Sequence, residues 1–163
     1  MTGTASAPTK DRLREDLDAT RQRLFEAISG LTEEQMRRRP DDGQWSVAEV
    51  LAHLPVCERR LSAQARAVSV RPGASIEFLS EEERAESAGR GRRLPVPALI
   101  HDLVAARWDT TSFLGSLRAG EMSRSGYHQE LGRMSVAQVL GVIASHEGGH
   151  VAQIRTVRQA LGM

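Results

Sequence analysis

The chain has 163 residues, of which 40% are hydrophobic and 26% are charged, and its formal net charge is +1. A chain of this length and balance is most simply one globular domain that buries about 70% of its unfolded surface. The near-zero net charge predicts neither a nucleic-acid nor a membrane partner. The single cysteine, Cys57, excludes an internal disulfide, so we expect a cytoplasmic protein.

The first third of the chain predicts a short tail and one long helix. Residues 1–9 are small and polar, which predicts a flexible N-terminus ahead of a single domain over residues 10–163. Apolar residues recur at helical spacing over residues 11–30, and a glycine ends the pattern.

Arginines cluster at residues 37–39 and 90–93. Because no aromatics interleave with them, we interpret both clusters as solvated turns and not as phosphate-binding patches.

A second helix begins at a capping box, in which Ser46 and Glu49 satisfy each other's free backbone amides. Its apolar series runs to about residue 68, and Pro55 inside it predicts a bend. Residues 71–97 are rich in Pro, Gly, Ser and charge, with one possible helical turn over residues 81–88. A connection of this length in a small domain typically crosses the bundle or covers a site.

The second half of the chain repeats the pattern. Residues 97–120 predict a third helix and residues 121–134 a loop. Ser135 opens a fourth helix with another capping box, and residues 45–51 match residues 134–140 nearly one for one. These elements predict an all-α four-helix bundle built from two similar halves.

The histidines are the strongest functional signal. His146 and His150 lie four residues apart on the apolar stripe of the fourth helix, so both imidazoles reach one point. They are either a hydrogen-bonded core pair or the ligands of a shared cation. His53 follows Ser46 by seven residues on the apolar face of its own helix, and two facing helices could bring it to the same point. Three imidazoles with an open coordination position are typical of a catalytic divalent metal.

The remaining histidines are weaker candidates. We expect His101 to be solvated near a helix start, and His128, in the predicted loop, to be at most a minor candidate ligand. His146-Glu147-x-x-His150 also spells a metalloprotease signature, but residues 151–163 contain no further ligand, so we reject that assignment. Glu147 stays a candidate general base or outer partner of the metal, with a surface or interhelical salt bridge as the alternative.

Three small residues near these histidines each have two interpretations. Gly148 and Gly149 lie inside a helix, where glycine is less favourable than alanine. Their presence is explained either by close approach of a neighbouring helix or by an open space for substrate beside the metal. Cys57 lies four residues after His53, so it either lines the metal pocket or packs in the core, and we favour the core.

Three segments of the chain resemble the DinB/YfiT-like superfamily: residues 45–54, residues 128–135 and residues 146–154. The resemblance implies an up-down-down-up four-helix bundle with a long crossover between helices two and three. It also implies a divalent ion, zinc or nickel, on His53, His146 and His150, and a homodimer.

The resemblance further implies a small-molecule substrate and thiol S-transferase-like chemistry with a low-molecular-weight thiol such as mycothiol or bacillithiol. Two alternatives stay open. One is metal-assisted hydrolysis with Glu147 as the base, and the other is a non-catalytic, stress-related metal-binding protein.

Overall fold

The computed structural model describes residues 7–41 and 43–163, so residues 1–6 of the predicted flexible tail lie outside the described residues. Four long helices form the expected bundle: α1 (Lys10–Ile28), α3 (Val47–Val70), α5 (Val96–Ser116) and α7 (Val136–Leu161). The connections hold the short helices α2 (Glu33–Arg37), α4 (Glu81–Gly89) and α6 (Ala119–Met122), and a 3-10 turn over Arg90–Arg92. In the bundle α1 packs on α7, α7 on α3 and α3 on α5.

Local capping explains where the two site-bearing helices begin. At α3, the Ser46 hydroxyl accepts from the Glu49 amide at 3.2 Å, and the Glu49 carboxylate accepts from the Ser46 amide at 2.9 Å. Ser135 and Gln138 form the same box at α7. Both predicted capping boxes are confirmed, and so is the predicted helical turn in the crossover, which is α4.

The second arginine-rich cluster supports the fold together with the first. Arg39 and Arg92 both donate to the buried carboxylate of Glu49, at 2.6–2.8 Å for Arg39 and 2.7 Å for Arg92. Burial raises the pKa of Glu49, but these bonds outweigh it and lower the pKa to about 2. The two clusters therefore hold the start of α3 against the turn that follows α4, a role that the interpretation as solvated turns did not include.

The core consists of two apolar clusters with a polar layer between them. One cluster contains Leu17 and Leu61, and the other contains Leu24 and Leu54. At the level between them each long helix contributes a buried charged residue. These residues are Arg21 of α1, Glu58 of α3, Arg107 of α5 and Glu147 of α7.

The predicted loop at residues 121–134 is wrong, because this segment forms a hairpin. Strand β2 (Ser125–His128) pairs antiparallel with β3 (Gly132–Ser135) and parallel with β1 (Ser75–Ile76) in the crossover. A Cβ on Gly126 would lie 2.3 Å from the Ala74 carbonyl oxygen, so the glycine permits this close pairing. The small sheet connects the crossover to the start of α7.

In the described part of the chain, no helix is long and apolar enough to cross a membrane.

Candidate metal centre

The structure brings three histidines from two helices together in the bundle. The Nε2 atom of His146 lies 3.1 Å from Nε2 of His53 and 3.0 Å from Nε2 of His150. One ligand nitrogen from each of the three lies within 4.8 Å of the others. His53 is 1% exposed, and the other two are partly buried. The convergence expected from the two apolar stripes is therefore present, and Pro55 does not displace His53 from it.

In His53 and His150, the hydrogen bond made by Nδ1 determines which ring nitrogen carries the proton. Ser87 donates its hydroxyl proton to the Arg84 carbonyl at 2.7 Å, so at 2.9 Å its oxygen accepts from Nδ1–H of His53. The Nδ1–H group of His150 donates to Oε1 of Gln153 at 2.7 Å. A neutral imidazole protonated on Nδ1 carries a lone pair on Nε2. His53 and His150 therefore both direct lone pairs at Nε2 of His146, which can donate at most one proton.

Protonation does not relieve this conflict at neutral pH. Burial, and then the neighbouring histidines, lower the pKa of His53 to about 3. Burial is also the main cause that lowers the pKa of His146 to about 4. For His150, burial lowers the pKa and outweighs the opposite effect of the Gln153 hydrogen bond. Neutral imidazoles with converging lone pairs are the ligand form that a divalent metal requires.

An aromatic ring supports the histidine cluster from one side. The indole of Trp45 stacks on His150 with ring centroids 6.1 Å apart and lies 5.1 Å from His53. Trp45, Ser87 and Gln153 were not predicted as site residues. Gln153 is recognisable as a partner at i+3 from a candidate ligand, whereas no sequence spacing connects Ser87 with His53.

The three histidines line a cavity of about 860 Å³. Its walls come from α3, the crossover, the hairpin and α7. Cys57 lines this cavity and also packs against the core, so both interpretations of it apply. Burial raises the pKa of the Cys57 thiol to about 11, which keeps it protonated.

His128, at the end of β2, also lines this cavity. Its ring lies 4.4 Å from that of Phe78, and its Nδ1 atom accepts from the backbone amides of Glu130 and Leu131. The ring is therefore protonated on Nε2 when neutral. His128 is not in the three-histidine group, and His101 is exposed on α5.

The structure places Glu147 in the polar layer, away from proton transfer at the histidines. Its two oxygens accept from Thr20 at 2.7 Å, Arg21 at 2.8 Å and Arg107 at 2.9 Å, and the residue is 2% exposed. Burial raises its pKa, but the arginines and Thr20 outweigh burial and lower it. The interhelical salt bridge, the alternative role expected for this residue, is present, and three donors from α1 and α5 occupy the carboxylate. A role of Glu147 as a general base or outer partner of the metal stays a prediction.

Neither interpretation of the paired glycines is supported. A Cβ on Gly148 would meet the Thr20 methyl group only at 4.0 Å, and one on Gly149 would meet nothing within 4 Å. Neither residue lines the cavity beside the histidines. The helix pairing does not require either glycine.

Comparison with known proteins identifies similar chains. The DinB superfamily matches over residues 16–154. A Bacillus mycoides protein named "Putative metal-dependent hydrolase" is 23% identical over 159 residues, which cover 98% of this chain and 91% of that protein. The four-helix bundle YfiT from Bacillus subtilis superposes with a TM-score of 0.80 at 20% identity, over 99% of this chain and 93% of that one. A mycothiol-dependent maleylpyruvate isomerase superposes with a TM-score of 0.70 at 14% identity, over 87% of this chain and 60% of that one.

Proposed function

The chain belongs to the DinB superfamily, and on that premise we propose that it is a metal-dependent enzyme whose nucleophile is a low-molecular-weight thiol. In this proposal His53, His146 and His150 bind one divalent cation. The observation that carries the proposal is the set of converging imidazole lone pairs, which no hydrogen-bond arrangement among the three rings satisfies.

Two of the three distances between the ring nitrogens fit a shared cation. Imidazole nitrogens bound to one metal at about 2.0–2.1 Å lie about 2.8–3.4 Å apart for bond angles between octahedral and tetrahedral. The two Nε2 distances to His146, 3.1 and 3.0 Å, fall within this range. Imidazole ligands suit zinc and nickel, so we propose one of these two ions.

A bound divalent cation with an open coordination position lowers the pKa of a thiol or water molecule that occupies that position. The residues around the site supply orientation. Ser87 and Gln153 hold the tautomers of His53 and His150, and Trp45 fixes the planes of both rings. The cavity of about 860 Å³ is in the size range of small-molecule sites and has room for a thiol beside an electrophile.

The location of Glu147 favours a thiol over water as the nucleophile. Attack by water benefits from a carboxylate base near the metal, as in metalloproteases whose motif has the same spacing as His146-Glu147-x-x-His150. Here the carboxylate of Glu147 is held by Arg21 and Arg107. A thiol has an ordinary pKa of about 8.5, so the cation alone suffices to ionise it at neutral pH.

Hydrolysis is the second candidate, because the Bacillus mycoides relative that matches 98% of this chain is named as a metal-dependent hydrolase. The two activities differ in the second substrate. A thiol transferase forms a carbon–sulfur bond while the thiol loses its proton and the electrophile loses its leaving group, such as halide. A hydrolase adds water across an ester or amide bond and needs no thiol.

The test begins with the metal. We expect about one zinc or nickel ion per chain by elemental analysis, lost in His150→Ala and retained in the matched variant His101→Ala, which changes an exposed histidine. The loaded protein is then incubated with mycothiol or bacillithiol and a haloaromatic electrophile, and the conjugate is quantified by mass spectrometry. Absence of bound metal in the wild type would refute the proposal. Hydrolysis of ester or amide substrates without any thiol conjugate would replace it with the second candidate.

A further inference from the structure

An arginine of the crossover helix lies at the edge of the histidine site. Arg84 is on α4, lines the same cavity as the three histidines and is exposed. Ser87 follows one turn later on the same helix face, and its hydroxyl group is 2.9 Å from Nδ1 of His53. The carbonyl of Arg84 accepts from that hydroxyl. The backbone of Arg84 is therefore linked to the histidine cluster through a single side chain.

The charge of Arg84 is not neutralised, in contrast to the other arginine of the cavity. Arg60 forms an ion pair with Glu83 at 2.6 Å. The guanidinium of Arg84 makes no hydrogen bond or ion pair with any residue in ranges 7–41 and 43–163.

From this placement we infer that Arg84 binds a carboxylate group of the substrate, and that the cavity is built for a small molecule with a reactive centre at the histidines and a carboxylate toward α4. The inference rests on the proposed function, because it assumes a nucleophile at the histidines. Guanidinium is suited to this role, since its planar donors match the two oxygens of a carboxylate.

The acidic residues of the cavity favour a monoanion over a phosphate. Glu77 and Glu130 line the same cavity and are exposed, and Glu83 is bound by Arg60. A dianionic phosphate would meet Arg84 together with the carboxylates of Glu77 and Glu130, which form no ion pair with any residue that the structure describes. A carboxylate carries half that charge and needs only one guanidinium partner.

A series of small thiols that differ only in the distal group tests this inference by binding, without turnover. The protein is loaded with cobalt(II), and each thiol is titrated while the thiolate-to-cobalt absorption is recorded. The probes are 3-mercaptopropionate, 2-mercaptoethanol, cysteamine and 2-mercaptoethanesulfonate, which carry a carboxylate, a hydroxyl, an ammonium and a sulfonate group. The affinity ratio of 3-mercaptopropionate to 2-mercaptoethanol is compared between wild type and variants, so that intrinsic differences in thiol pKa cancel.

We expect this ratio to fall about tenfold in Arg84→Gln, the lower end of the range for a charge-assisted hydrogen bond, because the site is partly exposed. Arg84→Lys restores part of the ratio, since it keeps the charge but loses the two-pronged geometry. Arg93→Gln, the matched control, removes an exposed arginine outside the cavity and leaves the ratio within twofold of wild type.

Each outcome distinguishes the inference from the proposed function. Equal effects of Arg84→Gln on both thiols would overturn the role of Arg84 and leave the metal-thiol site intact. A larger fall in Arg84→Gln for the ratio of 2-mercaptoethanesulfonate to 2-mercaptoethanol than for the ratio of 3-mercaptopropionate to 2-mercaptoethanol would overturn the carboxylate assignment. Absence of a thiolate band with 2-mercaptoethanol would refute thiol binding itself, and the inference would fail with it.

Discussion

Glu147→Gln separates a structural role of Glu147 from a catalytic one. The substitution keeps the shape of the side chain and removes its charge. In the variant, Arg21 and Arg107 of the polar layer are left with one carboxylate, that of Glu58. In the wild type these three side chains and that of Glu147 are nearly excluded from solvent.

The expected loss of stability is large. Removing one partner from a buried ion pair leaves an uncompensated charge and costs about 3–5 kcal/mol. In a domain of this size each kcal/mol lowers the melting temperature by about 2–4 °C, so the variant is expected to melt roughly 6–20 °C below wild type. Urea unfolding followed by far-ultraviolet circular dichroism measures the free energy directly.

The pH dependence gives a second measurement on the same variant. Because the native pKa of Glu147 is lowered, its stabilising contribution is present above the ordinary carboxyl pKa of 4.5 and is lost as the pH falls through the lower native pKa. The difference between wild type and variant is therefore expected to shrink only under acid conditions. Glu26→Gln, at an exposed position on α1, is the control and should change stability by less than about 0.5 kcal/mol.

If Glu147→Gln lowers the free energy of unfolding by less than about 1 kcal/mol, the ion pairs of Glu147 in the polar layer do not stabilise the bundle as argued. A variant with wild-type stability and metal content but no activity would support the predicted role of Glu147 as a base.

Three further predictions concern the site and its helices. Gln153→Ala removes the acceptor for a ligand ring and is expected to lower metal affinity about 10–100-fold without unfolding the protein, as measured by competition with a chelator. Gly149→Ala should stabilise α7 by about 0.5–1 kcal/mol in urea unfolding, because its Cβ meets open space, whereas Gly91→Ala should destabilise, because its Cβ would lie 2.4 Å from a backbone oxygen. The metal-free protein is expected to lose stability as the pH falls below the ordinary histidine value of 6.5, since unfolding lets His53 and His146, with native pKa values of about 3 and 4, take up protons.

Each of these predictions has a contrary outcome. Unchanged chelator competition in Gln153→Ala would show that the acceptor does not orient the ring. Destabilisation by Gly149→Ala would indicate a requirement for glycine that the structure does not show. Metal-free protein of constant stability between pH 7 and pH 5 would mean that the imidazoles are already solvated.

The elements that sequence analysis predicted correctly depend on local interactions. The Ser46 and Ser135 capping boxes mark helix starts because both partners lie within four residues of each other. The apolar stripes of α3 and α7 placed His53 and the His146–His150 pair on buried faces, since a helix repeats every 3.6 residues. Helical periodicity thus carries most of the information about the bundle and the histidine cluster.

The elements that sequence analysis missed depend on distant partners. Ser75 pairs with Tyr127, a residue about a third of the chain length away, and strands this short have no alternation that would reveal them. Glu147 and Arg107, on separate helices, are indistinguishable from surface charges until both are seen to face the same buried layer.

The sequence by itself therefore determined four amphipathic helices, their starts and the inward direction of three imidazoles, because those properties follow from spacing along one helix. Only the tertiary structure decided that Glu147 forms ion pairs between helices, that Ser87 contacts His53 and that the Arg84 guanidinium has no partner among residues 7–41 and 43–163. Each of these roles is set by an interaction between side chains from different helices, and such interactions exist only once the helices have packed.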